Sequence, residues 1–473
     1  MADRVTGMTA ERAGFWAGLL LFVLMLLLPA PAGMTAAAWQ VAALVILMAV
    51  YWMTQALPLT VTALLPFLAL PAMGVMSASD TAKEYYSPIL FLILGGAFIA
   101  LAIERTGLHR RVALAILKRA GGSAGGLLFA FMVATALLSM LISNTSTALI
   151  MVPIALAVLA AGGVRAGETN GMAGALTMGI AFAASIGGLG TLVGSPTNAI
   201  AAGLINKQLG IEINFLNWMA FGLPVVLVSI PVCALILMRV QKMADSPFDS
   251  AAARQAIGTP GAWSSAEKRL VPVIVLVVLL WIAQPWLKGL MPEKSVTDGS
   301  IAILGSLLLF TIPDGSGRPL LTWKEADKAP WGVIMLFGGG LALAAGITKS
   351  GLAAWLGEAL SPLTVVHPLI IAACVVALVI LITEFASNVA TASGVIPVIA
   401  GLVAATGADP WMLAMAASMA ASWGFMLPSG TGPNAIAWAS GHIALPRMLK
   451  AGLLLDIAGV PILIGLCWLV ASL

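Results

Sequence analysis

The chain has 473 residues, 61% of them hydrophobic and only 9% charged, against the roughly 25% charged residues of a soluble domain. Its net charge of +4 is small, which argues against a basic patch large enough to track nucleic-acid phosphates. Three scattered cysteines and three unpaired histidines speak against a disulfide framework and a zinc centre. What remains is a polytopic membrane protein.

From Ala13 to Ser79 no residue is charged, which leaves room for three spans of roughly 20 residues each. The first, at 14–30, lacks a clean cleavage site and runs on into further spans, so it reads as a retained helix. Arg4 and Arg12 before it place the N-terminus in the cytoplasm. Spans two to four are expected at 37–56, 58–75 and 88–104, with the loop Ser77 to Ser87 outside. The stretch Arg105 to Arg119 reads as a basic amphipathic helix on the cytoplasmic interface. An uncharged run, Ala120 to Val164, follows and is closed by Arg165. Its ends share a side, so it is either a re-entrant hairpin or two crossings. Span five begins near Gly171 and is interrupted over 187–198 by four glycines and a proline. Such a break must line a cavity or be buried in protein, because lipid satisfies no free backbone group. Span six is expected at 215–238, and the polar segment Arg239 to Arg269 returns the chain inside.

The second half repeats the plan. Spans are expected at 270–290, 299–313 and 331–348, with the basic segment Asp314 to Pro330 inside. A second apolar hairpin covers 364–405, and a span at 410–427 breaks over 428–434. Arg447 and Lys450 lie inside, and a last span ends the chain outside. The expected fold is an all-α polytopic membrane protein with about eleven transmembrane helices plus two re-entrant hairpins in two inverted repeats. The divisions are an N-terminal segment with the first span (1–36), a first repeat (37–240), a cytoplasmic linker (241–268) and a second repeat (269–473).

The two hairpins carry one motif. Ser143-Asn144 recurs 244 positions later as Ser387-Asn388, and the same shift relates Ser139 to Thr383, Thr147 to Thr391 and Pro153 to Pro397. It also relates Gly95-Gly96 to Gly339-Gly340. A shift of 236 takes Gly194 to Gly430, Ser195 to Thr431 and Asn198 to Asn434. Paired interruptions in two halves point to a transporter site at mid-membrane. Na⁺ collects hard oxygens, and broken helices supply carbonyls without adding charge. The first half offers Ser139, Ser143, Asn144 and Gly194; the second offers Thr383, Ala386 by its carbonyl, Asn388 and Gly430. Helices starting just after each tip would aim their positive ends at an anion.

Scattered residues such as Ser185 and Ser422 read as helix-to-helix glue. Glu384 is the acid well inside the second hairpin and a functional candidate. Glu104 and Asp456 read as interfacial, and Trp52, Trp281 and Trp411 as members of aromatic belts.

These motifs resemble those of the divalent anion:sodium symporter family. Ser-Asn-Thr-Ser-Thr-Ala at 143–148 and Thr-Glu-Phe-Ala-Ser-Asn-Val-Ala-Thr at 383–391 resemble its two hairpin signatures. The segments 184–198 and 425–436 resemble its unwound stretches, and 55–66 its third-span signature. The resemblance implies Na⁺-driven symport of a divalent anion, most simply a C4-dicarboxylate, by an elevator-type homodimer in the inner (plasma) membrane. It implies an anion site at Ser143, Asn144, Thr145, Ser195, Ser387, Asn388, Val389 and Thr431. It implies one Na⁺ at Ser139, Ser143, Asn144 and Gly194, and another at Thr383, Ala386, Asn388 and Gly430. Two positions depart from the family pattern and touch substrate choice: Val389 stands where threonine is usual, and Gly432 where proline is usual. The competing transport readings are a sodium-independent anion exchanger and a proton-coupled or arsenite-type antiporter, the second relying on Glu384. An intramembrane enzyme would need a nucleophile–base pair, which His109, His367 and His442, all near membrane edges, do not supply.

Overall fold

The computed structural model describes residues 10–473 other than 293, 294, 361, 363 and 364. Arg4 and the first residue of the hairpin expected at 364–405 lie outside the described residues. Among the described residues the structure is helical, with no β-strand.

α1 (Ala10–Leu27) packs on α2 (Ala36–Thr54), where Gly14 and Gly18 let Thr54 and Tyr51 approach. The third expected span is split into α3 (Leu59–Thr62) and α4 (Leu65–Ala72), the second opening on Pro66. α5 (Ala78–Glu84) leads into α6 (Pro88–Thr106). At Gly107 the backbone turns left-handed (φ 80°), a conformation open to glycine, and starts α7 (Leu108–Leu117). α7 is the amphipathic basic helix: it buries Leu108, Ala113, Leu114 and Leu117. Its Arg111 clasps Glu267 through Nε (2.8 Å) and Nη2 (3.0 Å) and lies over the Trp263 ring.

The two uncharged runs fold as hairpins: α8 (Ala124–Ser139) with α9 (Asn144–Ala161), and later α19 with α20. After the first hairpin, span five is two helices, α10 (Met172–Gly188) and α11 (Pro196–Leu209), followed by α12 (Phe215–Val240). Within the segment read as a linker, α13 (Ser250–Gln255) packs on α9, and Asp249 N–H donates to Gly162 O (3.1 Å). α14 (Ser265–Leu287), opened by a Ser264–Glu267 capping box, leads to α15 (Asp298–Thr311), the short α16 (Trp323–Ala326), α17 (Trp331–Lys349) and α18 (Leu352–Leu360). The second hairpin is α19 (Pro368–Phe385) with α20 (Asn388–Thr406). Span ten is α21 (Pro410–Ala420) and α22 (Gly432–Ala439), and α23 (Leu445–Ala471) ends the chain.

Nine of the described helices are long and apolar enough to cross a membrane; two of them are the hairpin arms α9 and α19. Shorter apolar helices of 10–17 residues accompany them. At the first tip Asn144 lies against Gly188 and Thr145 against Gly432, both at helix breaks, so this hairpin turns back within the bundle.

The hairpins and broken helices pack on one another as one bundle, flanked by the remaining helices. The duplicated glycine pairs sit where the two groups meet. A side chain at Gly95 would strike Ala302 of α15, and one at Gly339 would strike the Ala63 carbonyl. Their neighbours Gly96 and Gly340 face Val193 and Ser393 of the bundle.

Trp52 and Trp281 correct the belt expectation. Trp52 is buried and donates to Leu59 O (3.2 Å); Trp281 is buried, donates to Asp298 O (3.0 Å) and stacks on Phe215. Trp411, half-buried, stacks on Phe221. Trp52 and Trp281 fasten helices from within, each buried ring N–H meeting a backbone carbonyl.

Candidate functional site: two oxygen rings at the helix breaks

Each break is built the same way. In the first repeat, Ser139 Oγ at the end of α8 stands 2.7 Å from Asn144 Oδ1 and 2.6 Å from Ala184 O. The same terminal atom of the Asn144 amide lies 3.2 Å from Ala184 O and 3.3 Å from Gly194 O. With oxygen at that point, four oxygens converge, which is the donor set of a hard cation. With nitrogen there, the amide has two hydrogens to share among these three acceptors. The side chain can therefore serve a filled ring or brace an empty one. Gly188 and Gly194 are required by space: a side chain at Gly188 would collide with the Asn144 amide, and one at Gly194 with the Gly188 carbonyl.

The second repeat reproduces three of these four oxygens. Thr383 Oγ1 stands 3.1 Å from Asn388 Oδ1 and 2.6 Å from Ala421 O. Beyond each break an asparagine holds the unwound backbone. Asn198 Nδ2 donates to Gly188 O (2.7 Å) and Thr191 O (2.8 Å), and Asn434 Nδ2 donates to Leu427 O (3.0 Å). Sequence reading registered this asparagine pair but gave it no role. The shared shift of 236 was the available signal.

Four of the expected anion contacts are helix N-caps. Ser143 accepts from Ser146 N–H, Ser195 from Thr197 N–H, Ser387 from Ala390 N–H and Thr431 from Asn434 N–H. They open α9, α11, α20 and α22, so four positive helix ends arise at the breaks. The halves are interlocked there. α22 of the second repeat packs on α9 of the first, with Gly432 against Thr145; α11 of the first packs on α20 of the second. Glycine at 432 is what admits the Thr145 hydroxyl. Val389, by contrast, joins the apolar packing around α20.

A cavity of about 230 Å³ reaches Ser143, Ser146, Gly194 and Ser195 along α6 and opens beside Glu104 and Lys328. Asn144, Thr145, Ser387, Asn388, Val389 and Thr431 are not among its lining residues, so of the expected anion site the cavity brings together only Ser143 and Ser195. A second cavity, of about 610 Å³, opens at the other end of α6 beside Lys83, Glu84, Lys207 and Glu212. Leu92 and Leu192, both buried, line the two cavities in common.

Glu384 is buried and spends its carboxylate on the second break. Oε1 accepts from Phe425 N–H (2.5 Å) and Met426 N–H (3.0 Å), and Oε2 from Met426 N–H (3.1 Å) and Leu427 N–H (3.3 Å). Two further expectations are corrected. Asp456 is not interfacial; it lies mid-helix in α23 and is 6% exposed. Glu104 stays at the end of α6, where it lines the first cavity. The Ser185 and Ser422 hydroxyls are buried without a hydrogen-bond partner, so they glue no helices by that means.

Residues 10–472 match the family model described as the sodium:sulfate symporter transmembrane region. The sodium-dependent dicarboxylate transporter SdcS of Staphylococcus saprophyticus is 38% identical over 467 residues, covering 96% of this chain and 90% of that one. The protein of the same name from Staphylococcus aureus is 39% identical over 469 residues, with the same coverage. Among solved structures, the Alcanivorax borkumensis YdaH transporter, described as having an unusual topology, superposes with a TM-score of 0.57 over 86% of this chain and 88% of that one. At 14% identity that likeness concerns the fold alone. The chain is thus a multi-pass membrane protein belonging to the sodium:sulfate symporter family, the divalent anion:sodium symporters whose hairpin motifs it carries.

Proposed function

We propose that this protein is a Na⁺-coupled symporter of a divalent anion, most simply a C4-dicarboxylate such as succinate, malate or fumarate. The observation that carries the reading is the pair of matching oxygen rings, each set beside a capped helix start. One Na⁺ is assigned to Ser139, Ser143, Asn144 and Gly194, and the other to Thr383, Ala386, Asn388 and Gly430. Neutral hydroxyls and carbonyls suit Na⁺ because they bring oxygen without charge, so the bound ions remain positive toward an anion. The anion then meets Ser143, Asn144, Thr145 and Ser195 from one repeat and Ser387, Asn388 and Thr431 from the other. Val389 supplies an apolar flank in place of a further hydroxyl. The dicarboxylate in the names of both SdcS relatives supports the substrate class.

The bundle of hairpins and broken helices acts as the moving part of an elevator in a homodimer. The basic helix α7 faces the cytoplasm, with the N-terminus inside and the C-terminus outside. A proton-coupled antiporter would need a carboxylate free to cycle its proton, whereas Glu384 is committed to three backbone amides. The test is uptake of labelled succinate into proteoliposomes under an inward Na⁺ gradient, with citrate, sulfate and aspartate as competitors. Na⁺-stimulated uptake that succinate competes best supports the reading. Equal uptake with Na⁺ replaced by K⁺ would overturn symport in favour of exchange.

A further inference from the structure

One carbonyl in each break serves two donors. Thr191 O accepts from the Gly194 N–H (3.3 Å) and from the side-chain amide of Asn198 (2.8 Å). Leu427 O accepts from the Gly430 N–H (3.1 Å) and from the side-chain amide of Asn434 (3.0 Å). The shift of 236 relates all three members: Thr191 to Leu427, Gly194 to Gly430 and Asn198 to Asn434. A carbonyl oxygen has two lone pairs, so neither donor displaces the other. Glycine and asparagine are therefore hung from a single atom, twice over.

The asparagines work through their donor ends. Both side chains are fully buried, and among the described residues no protein donor reaches either Oδ1. A buried acceptor without a donor is destabilising, so a side chain present only to fill the space would do better as leucine. The two grips also differ. Asn198 Nδ2 donates in addition to Gly188 O (2.7 Å), the carbonyl that a side chain at Gly194 would strike. Gly194 O in turn lies 3.3 Å from the Asn144 amide in the first ring. Asn434 makes one such bond, and at that break the Glu384 carboxylate takes the amides of Phe425, Met426 and Leu427 as well.

We infer that Asn198 and Asn434 are positioning residues: each fixes the glycine assigned to the cation site of its repeat by holding the carbonyl from which that glycine hangs. They act through Gly194 and Gly430 rather than by touching an ion. The inference rests on the Na⁺-coupled reading for its effect on cation binding, but the hydrogen bonds do not depend on it.

The experiment uses Asn198→Leu and Asn434→Leu, which keep the shape of the side chain and remove its donors. Na⁺ is titrated against the melting temperature of the purified protein without anion, so that ion binding is read apart from transport. Asn198→Leu should raise the Na⁺ midpoint by about tenfold and Asn434→Leu by about threefold, because Glu384 also holds the second break. In proteoliposomes the succinate KM at saturating Na⁺ should stay within about twofold of wild type, a split that general misfolding would not produce. Hydrogen exchange measured without Na⁺ should quicken by about tenfold over residues 187–195 in Asn198→Leu while residues 424–431 keep the wild-type rate. Asn434→Leu should show the reverse. An unchanged Na⁺ midpoint in Asn198→Leu, or unchanged exchange at the altered break, overturns the inference. If Asn198→Leu fails to fold, Asn434→Leu decides by the same two readings. If wild type shows no Na⁺ response, the symport reading fails while hydrogen exchange still judges the positioning.

Discussion

The two hairpins share a sequence motif but not an environment. Ser143 and Thr145 at the first tip are exposed, and Ser143 lines a cavity running along α6. Ser387 and Asn388 at the second tip are half-buried, and the arm that follows them packs on α2, α17 and α18. The motif sets the chemistry of each ring, and the neighbouring helices set which ring a solute can reach. A symmetric pair of sites in an asymmetric surround is what a carrier needs to offer its ligand to one face at a time.

The comparison breaks most sharply if either ring proves dispensable. Asn144→Ala and Asn388→Ala should each abolish Na⁺-driven uptake in proteoliposomes, despite the unequal exposure of the tips. Full activity in either variant would show that only one ring carries the coupling. Labelling tests the exposure itself. In a Cys374→Ser background, which removes the exposed cysteine, Ser143→Cys should react with an impermeant maleimide about tenfold faster than Ser387→Cys when the reagent reaches the α7 face. Equal rates would mean that the two tips are equally covered.

Glycine scanning sharpens the picture further. Gly188→Ala drives a methyl into Asn144, whereas at the matching Gly424 the nearest atom is Thr383 O at 3.3 Å. Overpacking of that kind costs about 1–3 kcal/mol, so Gly188→Ala should weaken Na⁺ half-saturation by about tenfold and Gly424→Ala by about threefold at most. The smallest effect lies away from both hairpins, at the loop ion pairs beside α6. Burial tends to raise the Glu325 pKa, but the Thr322 N–H, Arg318 and Arg105 overcome it and bring it down to about 2. A depressed carboxylate stabilises the fold above its unfolded pKa of about 4.3, and that contribution fades as pH falls toward 2. Glu325→Gln should therefore lower the melting temperature slightly at pH 7, and the gap from wild type should close on acidification. A constant gap across that range would assign the effect to packing instead.

Much of this site was legible because polar residues are costly inside an apolar run. Ser143-Asn144, Ser387-Asn388 and the two glycine-rich breaks stood out for that reason, and their repetition located both rings. The N-cap role of Ser143, Ser195, Ser387 and Thr431 follows from the same positions. Three features were hidden. The interlock of α9 with α22 and of α11 with α20 is a contact between distant segments that no local pattern encodes. Asp456 is buried mid-helix, and a lone acid in a long helix reads as an end residue until its burial is known. Trp52 and Trp281 looked like belt residues because composition cannot say which way a ring points.

The pair Leu92 and Leu192 has an electrical consequence. If water fills both cavities, the membrane voltage falls mainly across the apolar partition that these two side chains form, and not evenly across the roughly 30 Å hydrocarbon layer. A unit charge carried from one side of that partition to the other would then cross most of the potential, worth about 2.3 kcal/mol per 100 mV.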